Sequence, residues 1–265
     1  MNKKCMALAA VLILAATALA HDSWVQTNAN VVRAGDTVHI DLLLGNHGND
    51  HRDFKIASKL DLAGSTLQVI ASNGKRYDLR DKLIDLGYAP KEGFWTTRFT
   101  ASQPGRYLVA HTCDKVVNYA PVRSIKSAKT YFVVAKSLDN VPRDNPGFAK
   151  PLGHALELVP ETNPVTPMGP GTPIKVQLLH KGKPLPDARV SFIPRGETLA
   201  DGFDKHYERT TDANGRASFT PTDGNYYLVV AHAQDPNESG KGYQSTKYSA
   251  TLTVLVPQIC PCCGD

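Results

Sequence analysis

The fold is decided by a stretch that occurs twice in the sequence. It reads Pro104-Gly105-Arg106-Tyr107-Leu108-Val109-Ala110-His111 and, later, Asp223-Gly224-Asn225-Tyr226-Tyr227-Leu228-Val229-Val230-Ala231-His232. Both copies pass from a turn through glycine and tyrosine into an apolar strand that ends in a histidine. A Gly-x-Tyr entry into a late strand is typical of a tyrosine corner, in which the ring packs in the core and the hydroxyl bonds to nearby backbone. The repeat therefore predicts two related β domains with structural tyrosines.

Short segments of alternating apolar and polar residues, separated by turn residues, surround both copies. This pattern is the signature of β-strands, and a long helical period is absent. We expect strands near Thr37–Leu44, Thr66–Ser72, Phe94–Thr100, Arg106–Thr112, Lys129–Ala135, Pro173–Leu179, Ala188–Pro194, Arg216–Thr220, Asn225–Ala231 and Tyr248–Val256. The predicted fold class is all-β, with two antiparallel immunoglobulin-like or transthyretin-like sandwiches.

A proline-rich connector joins the two predicted sandwiches. Proline is frequent between Leu138 and Gly171, and at this density it prevents a helix and disfavours a central strand. Within the connector we expect an extended stretch, His154–Val159, to pair with the edge of the second sandwich. The predicted divisions are a leader (1–20), a first sandwich (21–136), the connector (137–171), a second sandwich (172–256) and a cysteine-rich tail (257–265).

The leader is predicted to be a secretory signal peptide. Lys3 and Lys4 precede an apolar run from Met6 to Ala20 that ends in small residues, which is the usual order of such a signal. The run is short for a membrane span, and no later segment approaches the roughly 18 apolar residues that a span needs. We therefore expect a periplasmic or extracellular protein without a membrane span, whose first residue after cleavage is His21.

Composition and charge exclude several classes of protein. The chain has 265 residues, of which 42% are hydrophobic and 21% charged, as in an ordinary globular protein. Removal of Lys3 and Lys4 with the leader lowers the net charge from +5 by two, to +3. The basic residues are spread along the chain and form no stripe, so nucleic acid is not an expected partner.

The cysteines of the exported chain leave two interpretations open. They are Cys113 and a cluster in the tail, Cys260, Cys262 and Cys263. In an oxidising compartment they are expected to form disulfides, with Cys113 as a partner that fixes the tail. The alternative is a thiolate metal site on the tail. The spacing does not decide between them.

Metal chemistry is predicted at the new N-terminus, His21-Asp22-Ser23-Trp24. The terminal amine and Nδ1 of a first-residue histidine lie on one chelate ring, so one residue supplies two nitrogen ligands, a set that favours copper, nickel or cobalt. The candidates for further donors are His47 and His51, in a polar loop after a predicted strand, and His111 at a strand end. We expect His39, His154, His180, His206 and His232 to be structural or surface residues.

The second half resembles a known module. The segments Lys181-Gly182-Lys183-Pro184-Leu185, Thr211-Asp212-Ala213-Asn214-Gly215 and Gly224-Asn225-Tyr226 are similar to the hairpin, turn and strand entry of the transthyretin-like or carboxypeptidase-regulatory-like module. The resemblance covers roughly residues 172–256. It implies a β-sandwich without catalytic function.

A second resemblance covers nearly all of the exported chain. The segments Ala20-His21-Asp22-Ser23-Trp24, Ala34-Gly35-Asp36-Thr37-Val38 and Gly45-Asn46-His47 resemble an exported family of largely unknown function, described as the periplasmic component of nickel or cobalt uptake systems. The resemblance implies that His21 and His47 are metal donors. It also implies that the protein presents the ion to a separate membrane permease.

These observations favour a non-enzymatic binding protein for a divalent transition metal ion, with nickel or cobalt ahead of copper. Two alternatives belong to other classes. The first is an adhesion or assembly protein built of tandem β-sandwiches. The second is a copper oxidase that cleaves polysaccharides, because enzymes of that kind bind copper through an N-terminal histidine and one further histidine. It ranks last because only Trp24 and Trp95 could form an aromatic platform, and both are expected in the core.

Overall fold

The computed structural model describes residues 21–45, 62–87, 93–141, 143 and 146–258. Within these residues the secondary structure consists of β-strands and one 3-10 turn, Arg80–Lys82. The strands are β1 (Asp22–Thr27), β2 (Val31–Arg33), β3 (Thr37–Gly45), β4 (Ser65–Ala71), β5 (Arg76–Asp78), β6 (Ile84–Asp85), β7 (Trp95–Thr100), β8 (Gly105–Val116), β9 (Val122–Ala135), β10 (Leu156–Pro160), β11 (Ile174–His180), β12 (Lys183–Pro184), β13 (Arg189–Pro194), β14 (Glu208–Thr210), β15 (Arg216–Phe219), β16 (Asn225–Asp235) and β17 (Ser245–Val256). The all-β prediction is confirmed, and each predicted strand overlaps an observed one.

The described strands form three sheets. The first has the strand order β1-β3-β7-β6, and the third contains β10, β11, β12 and β15. Between them lies a nine-stranded sheet, which we call the central sheet, with the order β14-β13-β16-β17-β9-β8-β4-β5 and β2 added beside β9. No described helix is long and apolar enough to cross a membrane.

The central sheet is buried on both faces. Along β8, Tyr107 and Val109 pack against the first sheet, whereas Leu108 and Ala110 pack towards the third. Successive side chains of a strand point to opposite faces, so a strand covered on both sides must be apolar at nearly every position. This explains the continuous apolar run at the end of β9, from Tyr131 to Ala135, where every residue is buried.

The two halves of the chain meet through a parallel pair of strands in the central sheet. Strand β17, from the second half, pairs with β9, from the first half, over the register from Ser245 opposite Val122 to Thr253 opposite Thr130. The neighbouring pairs β8–β9 and β16–β17 are antiparallel. Backbone hydrogen bonds therefore continue from one half into the other.

Both predicted tyrosine corners are present, one of them at a different residue. The hydroxyl of Tyr107 donates to the Gln103 carbonyl at 2.9 Å. In the second copy the corresponding bond, 3.1 Å long, runs from Tyr227 to the Asp223 carbonyl, whereas Tyr226 donates to Thr27 of β1. Tyr226 and Tyr227 are consecutive, so their side chains point to opposite faces of β16. Tyr227 forms the tyrosine corner, and Tyr226 forms the contact between the halves.

The connector contributes one strand, as predicted. Strand β10 pairs antiparallel with β11 of the third sheet. It also brings Glu157 under the central sheet, where its carboxylate accepts a bond of 2.7 Å from Lys129 of β9. Three consecutive backbone N–H groups, those of Leu152, Gly153 and His154, donate to the same carboxylate. This fully buried ion pair ties the connector to the centre of the fold.

Candidate functional site

The candidate site begins where the first strand enters the fold. His21 directly precedes β1 and is half-buried. Its carbonyl oxygen accepts a hydrogen bond from the Lys126 ammonium of β9, and the next residue, Asp22, lies opposite Gly45 at the end of β3. The backbone at residue 21 is therefore held between the first sheet and the central sheet.

An ion pair fixes the next residue. The Asp22 carboxylate lies 2.9 Å and 3.1 Å from Nε2 of His232 on β16. Burial alone raises the pKa of Asp22, but the charge and hydrogen bond of His232, together with Lys126, bring it below its usual value. The Asp22 charge raises the pKa of His232. Because the His232 side chain is 54% exposed, solvent screens this pair, and its contribution to stability is about 1 kcal/mol or less.

Alternation along β1 directs a second set of side chains to the opposite side. Val25 packs in the core between the first and central sheets, with Val109 of β8 and Ala128 of β9. Ser23 lies two residues before Val25, so it occupies the same face of β1. On β8, His111 lies two residues after Val109, so its side chain also points towards the first sheet.

His111 is fully buried and has one hydrogen bond. Its Nδ1 lies 2.7 Å from the Thr66 carbonyl oxygen. A carbonyl only accepts, so Nδ1 carries the proton and Nε2 has a lone pair. Nε2 is buried and has no hydrogen-bond partner among the described residues. Burial, more than any other cause, lowers the pKa of His111 to about 4. A neutral imidazole whose Nδ1–H is held by a backbone carbonyl is the form in which histidine binds metal ions.

Two more polar groups, the hydroxyl of Ser23 and the thiol of Cys113, lie between the first sheet and the central sheet. The Ser23 hydroxyl is buried without a hydrogen-bond partner among the described residues. Cys113 follows His111 by two residues on β8, is buried, and forms no disulfide within the described part of the chain. Its cross-strand partner in the register of β8 and β9 is Lys126, the residue that holds His21. We call the set His21, Ser23, His111, Cys113 and Lys126 the N-terminal cluster.

The structure describes only part of the predicted metal site. His21 and His111 are described, whereas His47 and His51 lie outside the described residues, as do Cys260, Cys262 and Cys263. Gly45, opposite Asp22, precedes His47 by two positions in the sequence. In the described part of the chain no three His, Cys, Asp or Glu side chains converge as a metal site would require. The metal-binding role of these residues stays a prediction.

Sequence reasoning missed three residues that shape the site: Asp22, Lys126 and Ser23. Asp22 stood beside His21 in the quoted motif, but its partner, His232, is 210 positions away. Lys126 lies in a segment that the sequence analysis did not assign to a strand. Strand β1 itself was not predicted, because its residues, Asp-Ser-Trp-Val-Gln-Thr, show too short an apolar pattern.

The fold and the site define an all-β sandwich protein whose first strand begins in a polar cluster beside the central sheet. The chain belongs to a family described as a domain of unknown function, DUF4198, which matches residues 18–235. No curated protein matches the chain.

The solved structures that match the chain are distant. A DUF4785 family protein from Legionella pneumophila is 12% identical with a TM-score of 0.27, and the match covers 78% of this chain and 51% of that protein. A Salmonella alpha-2-macroglobulin is 15% identical with a TM-score of 0.25, over 89% of this chain and 15% of that protein. The mouse nectin-like molecule 4 ectodomain is 12% identical with a TM-score of 0.24, over 90% of this chain and 65% of that protein. The chain thus spans about half of the first of these proteins and less than a sixth of the second.

Proposed function

We propose that this protein is an exported binding protein that captures a divalent transition metal ion, with nickel or cobalt favoured, and presents it to a separate membrane permease. His21 binds the ion through its imidazole and, after removal of the leader, through the terminal amine. His47 completes the site, and His111 or His51 supplies a further donor. The role is binding rather than catalysis.

The observation that carries this proposal is the anchoring of residue 21. A bidentate donor on a freely moving arm loses conformational freedom when it binds, at a cost that lowers affinity. Here the Lys126 ammonium holds the His21 carbonyl, and the Asp22–His232 pair fixes the adjacent residue. The fold therefore supports a preorganised pair of nitrogen donors at a defined place.

Two further observations support the choice of additional donors. Gly45 lies opposite Asp22, and the sequence joins His47 to Gly45 through a single intervening residue. Two residues of extended chain span at most about 7 Å. His111 has an unprotonated Nε2 without a hydrogen-bond partner in the described part of the chain, and a buried nitrogen of this kind calls for an unseen water or ion.

The experiment is a calorimetric titration of protein that begins at His21 with Ni²⁺ and Co²⁺. We expect binding of one ion per chain, and we expect His47→Asn to weaken the affinity at least ten-fold. His206→Asn is the matched control, since His206 is exposed on the second half and its replacement should leave the affinity unchanged. Absence of binding by the unmodified protein, or equal weakening by both substitutions, contradicts the proposal.

A further inference from the structure

A small cavity, which we call the seam cavity, lies where the two halves of the chain meet. Its volume is about 170 Å³, and the described residues that line it are Gln26 of β1, Leu43 of β3, Phe94 before β7 and Arg195 after β13. The first three belong to the first half, and Arg195 belongs to the second. A cavity of roughly 150 Å³ holds a benzene ring. The seam cavity therefore has the size of a small ring-shaped ligand.

The walls of the seam cavity are largely apolar. Leu43 is buried in one cluster with Trp24 and with apolar residues of β16, and Phe94 packs against the same cluster. Ligand cavities in proteins typically combine apolar walls with a few polar groups that fix the orientation of the ligand. Among the described lining residues these groups are the amide of Gln26 and the guanidinium of Arg195.

The guanidinium of Arg195 is held in place from two sides. It lies over the ring of Tyr226, 4.4 Å from the ring centre, which is the geometry of a cation–π contact. Its Nη2 donates to Oε1 of Gln26. The Tyr226 ring is itself fixed, because its hydroxyl donates to the Thr27 carbonyl at 2.9 Å. A group that is already positioned loses little conformational freedom when a ligand binds.

The positive charge of Arg195 is not neutralised within the part of the chain that the structure describes. Arg195 forms no salt bridge there, and its Nε is buried without a hydrogen-bond partner among the same residues. Gln26 separates it from a carboxylate, because the Gln26 Nε2 donates to Asp41 at 3.2 Å while Oε1 accepts from Arg195. A buried donor of this kind calls for a further partner, such as a ligand.

We propose that the seam cavity binds a small aromatic monocarboxylate. The carboxylate pairs with Arg195, since a guanidinium binds a carboxylate through two parallel hydrogen bonds, and the ring rests against Leu43 and Phe94. Arg195 supplies a single positive charge, so one negative charge on the ligand suffices. The site is separate from metal capture, because none of its residues is a proposed metal donor. A ligand in this place contacts both halves and stabilises the folded chain.

The test is a titration of protein that begins at His21 with benzoate, followed by tryptophan fluorescence and by ligand-observed nuclear magnetic resonance. Trp24 lies in one cluster with Leu43, so a ring in the cavity should change its emission. We expect saturable binding of benzoate. Benzamide has the same shape without the charge, and acetate has the charge without the ring, so each should bind at least ten-fold more weakly.

Two substitutions in the cavity separate charge from shape. Arg195→Gln removes the cation and should weaken benzoate binding at least ten-fold. Gln26→Glu keeps the guanidinium but gives it a carboxylate partner, so it should weaken benzoate binding to a similar extent, and it serves if Arg195→Gln does not fold. Arg76→Gln is the matched control. Arg76 also donates to a glutamine amide, that of Gln68 at 3.1 Å, but lies on β5, at the other edge of the central sheet from β13.

Three results would overturn the proposal. The first is the absence of saturable benzoate binding by the unmodified protein. The second is equal affinity for benzoate and benzamide, which would show that the charge of Arg195 is not used. The third is equal weakening of benzoate binding by Arg195→Gln and Arg76→Gln, which would place the ligand elsewhere. The expected result is that Arg76→Gln leaves the affinity for benzoate unchanged.

Discussion

At the scale of single residues, the buried histidine of β8, His111, is the most informative side chain. His111 is fully buried, which favours the neutral ring, and Thr66 fixes the proton on Nδ1. The sequence predicted His111 at the end of a strand, whereas β8 continues to Val116 and places this histidine inside the central sheet. It could not predict the tautomer, since this depends on a carbonyl of β4 that lies 45 positions earlier.

The burial of His111 predicts a loss of stability in acid. The folded protein keeps the ring neutral to about pH 4, whereas the unfolded chain protonates it near pH 6.5. The unfolded state therefore binds more protons between these values, and the free energy of unfolding falls as the pH decreases. From pH 7 to pH 5 we expect His111 to account for roughly 2 kcal/mol of this loss.

Urea unfolding of metal-free protein at both pH values checks this expectation. His111→Asn, which keeps the bond to Thr66, should lose less stability between pH 7 and pH 5 than the unmodified protein. The control is His39→Asn, because His39 is exposed on β3. An equal pH dependence in the unmodified protein and in His111→Asn would show that His111 is already protonated or accessible in the fold.

At the scale of elements, strand β10 shows which features the sequence predicts and which it does not. A short extended stretch among prolines predicted that the connector pairs with the second half, and β10 pairs with β11. The ion pair between Glu157 and Lys129 was not predictable. From the sequence, a lysine in an apolar strand is expected to be exposed. In the structure the third sheet covers Lys129, and both side chains of the pair are almost completely buried.

Removal of one partner of this ion pair should destabilise the protein strongly. Burial lowers the pKa of Lys129, and the charge of Glu157 opposes this effect. Lys129→Met leaves a buried carboxylate with backbone donors alone, and we expect a loss of about 3–5 kcal/mol in the free energy of unfolding. Urea unfolding at pH 7 measures it, with Lys175→Met as the exposed control on β11.

The double variant Lys129→Met with Glu157→Gln removes both charges. It should be more stable than Lys129→Met alone, because no unpaired charge remains in the interior. If Lys129→Met costs no more than Lys175→Met, the pair does not hold the connector to the central sheet.

At the scale of the whole molecule, the decisive feature is the parallel pairing of β9 with β17. The sequence predicted the all-β class and most strands, since these follow from local alternation and turn residues. It did not predict that the halves share one sheet, because pairing between strands more than a hundred residues apart leaves no local pattern. The domain boundaries drawn from the sequence stay predictions.

A shared sheet predicts that both halves unfold together. Trp95 packs against the core between the first and central sheets, whereas Trp24 packs against Leu228 and Val230 of the second half, so in a Trp24→Phe background the tryptophan fluorescence reports on the first half. Phe192 of the second half is fully buried and stacks on Phe219, and Phe192→Ala should cost about 3–5 kcal/mol. We expect this substitution to lower the midpoint of the tryptophan transition as much as that of the circular dichroism transition. Two separate transitions, with the tryptophan midpoint unchanged, would mean that the halves unfold independently.

The central claim is that a metal ion binds to the amine and imidazole of His21 in the exported protein. The most direct measurement compares, by calorimetry with Ni²⁺, protein that begins at His21 with the same protein acetylated at the terminal amine. Acetylation converts the amine into an amide, which is a far weaker ligand, and leaves every side chain in place. We expect the affinity to fall at least ten-fold. Equal affinity in the two proteins would contradict the claim.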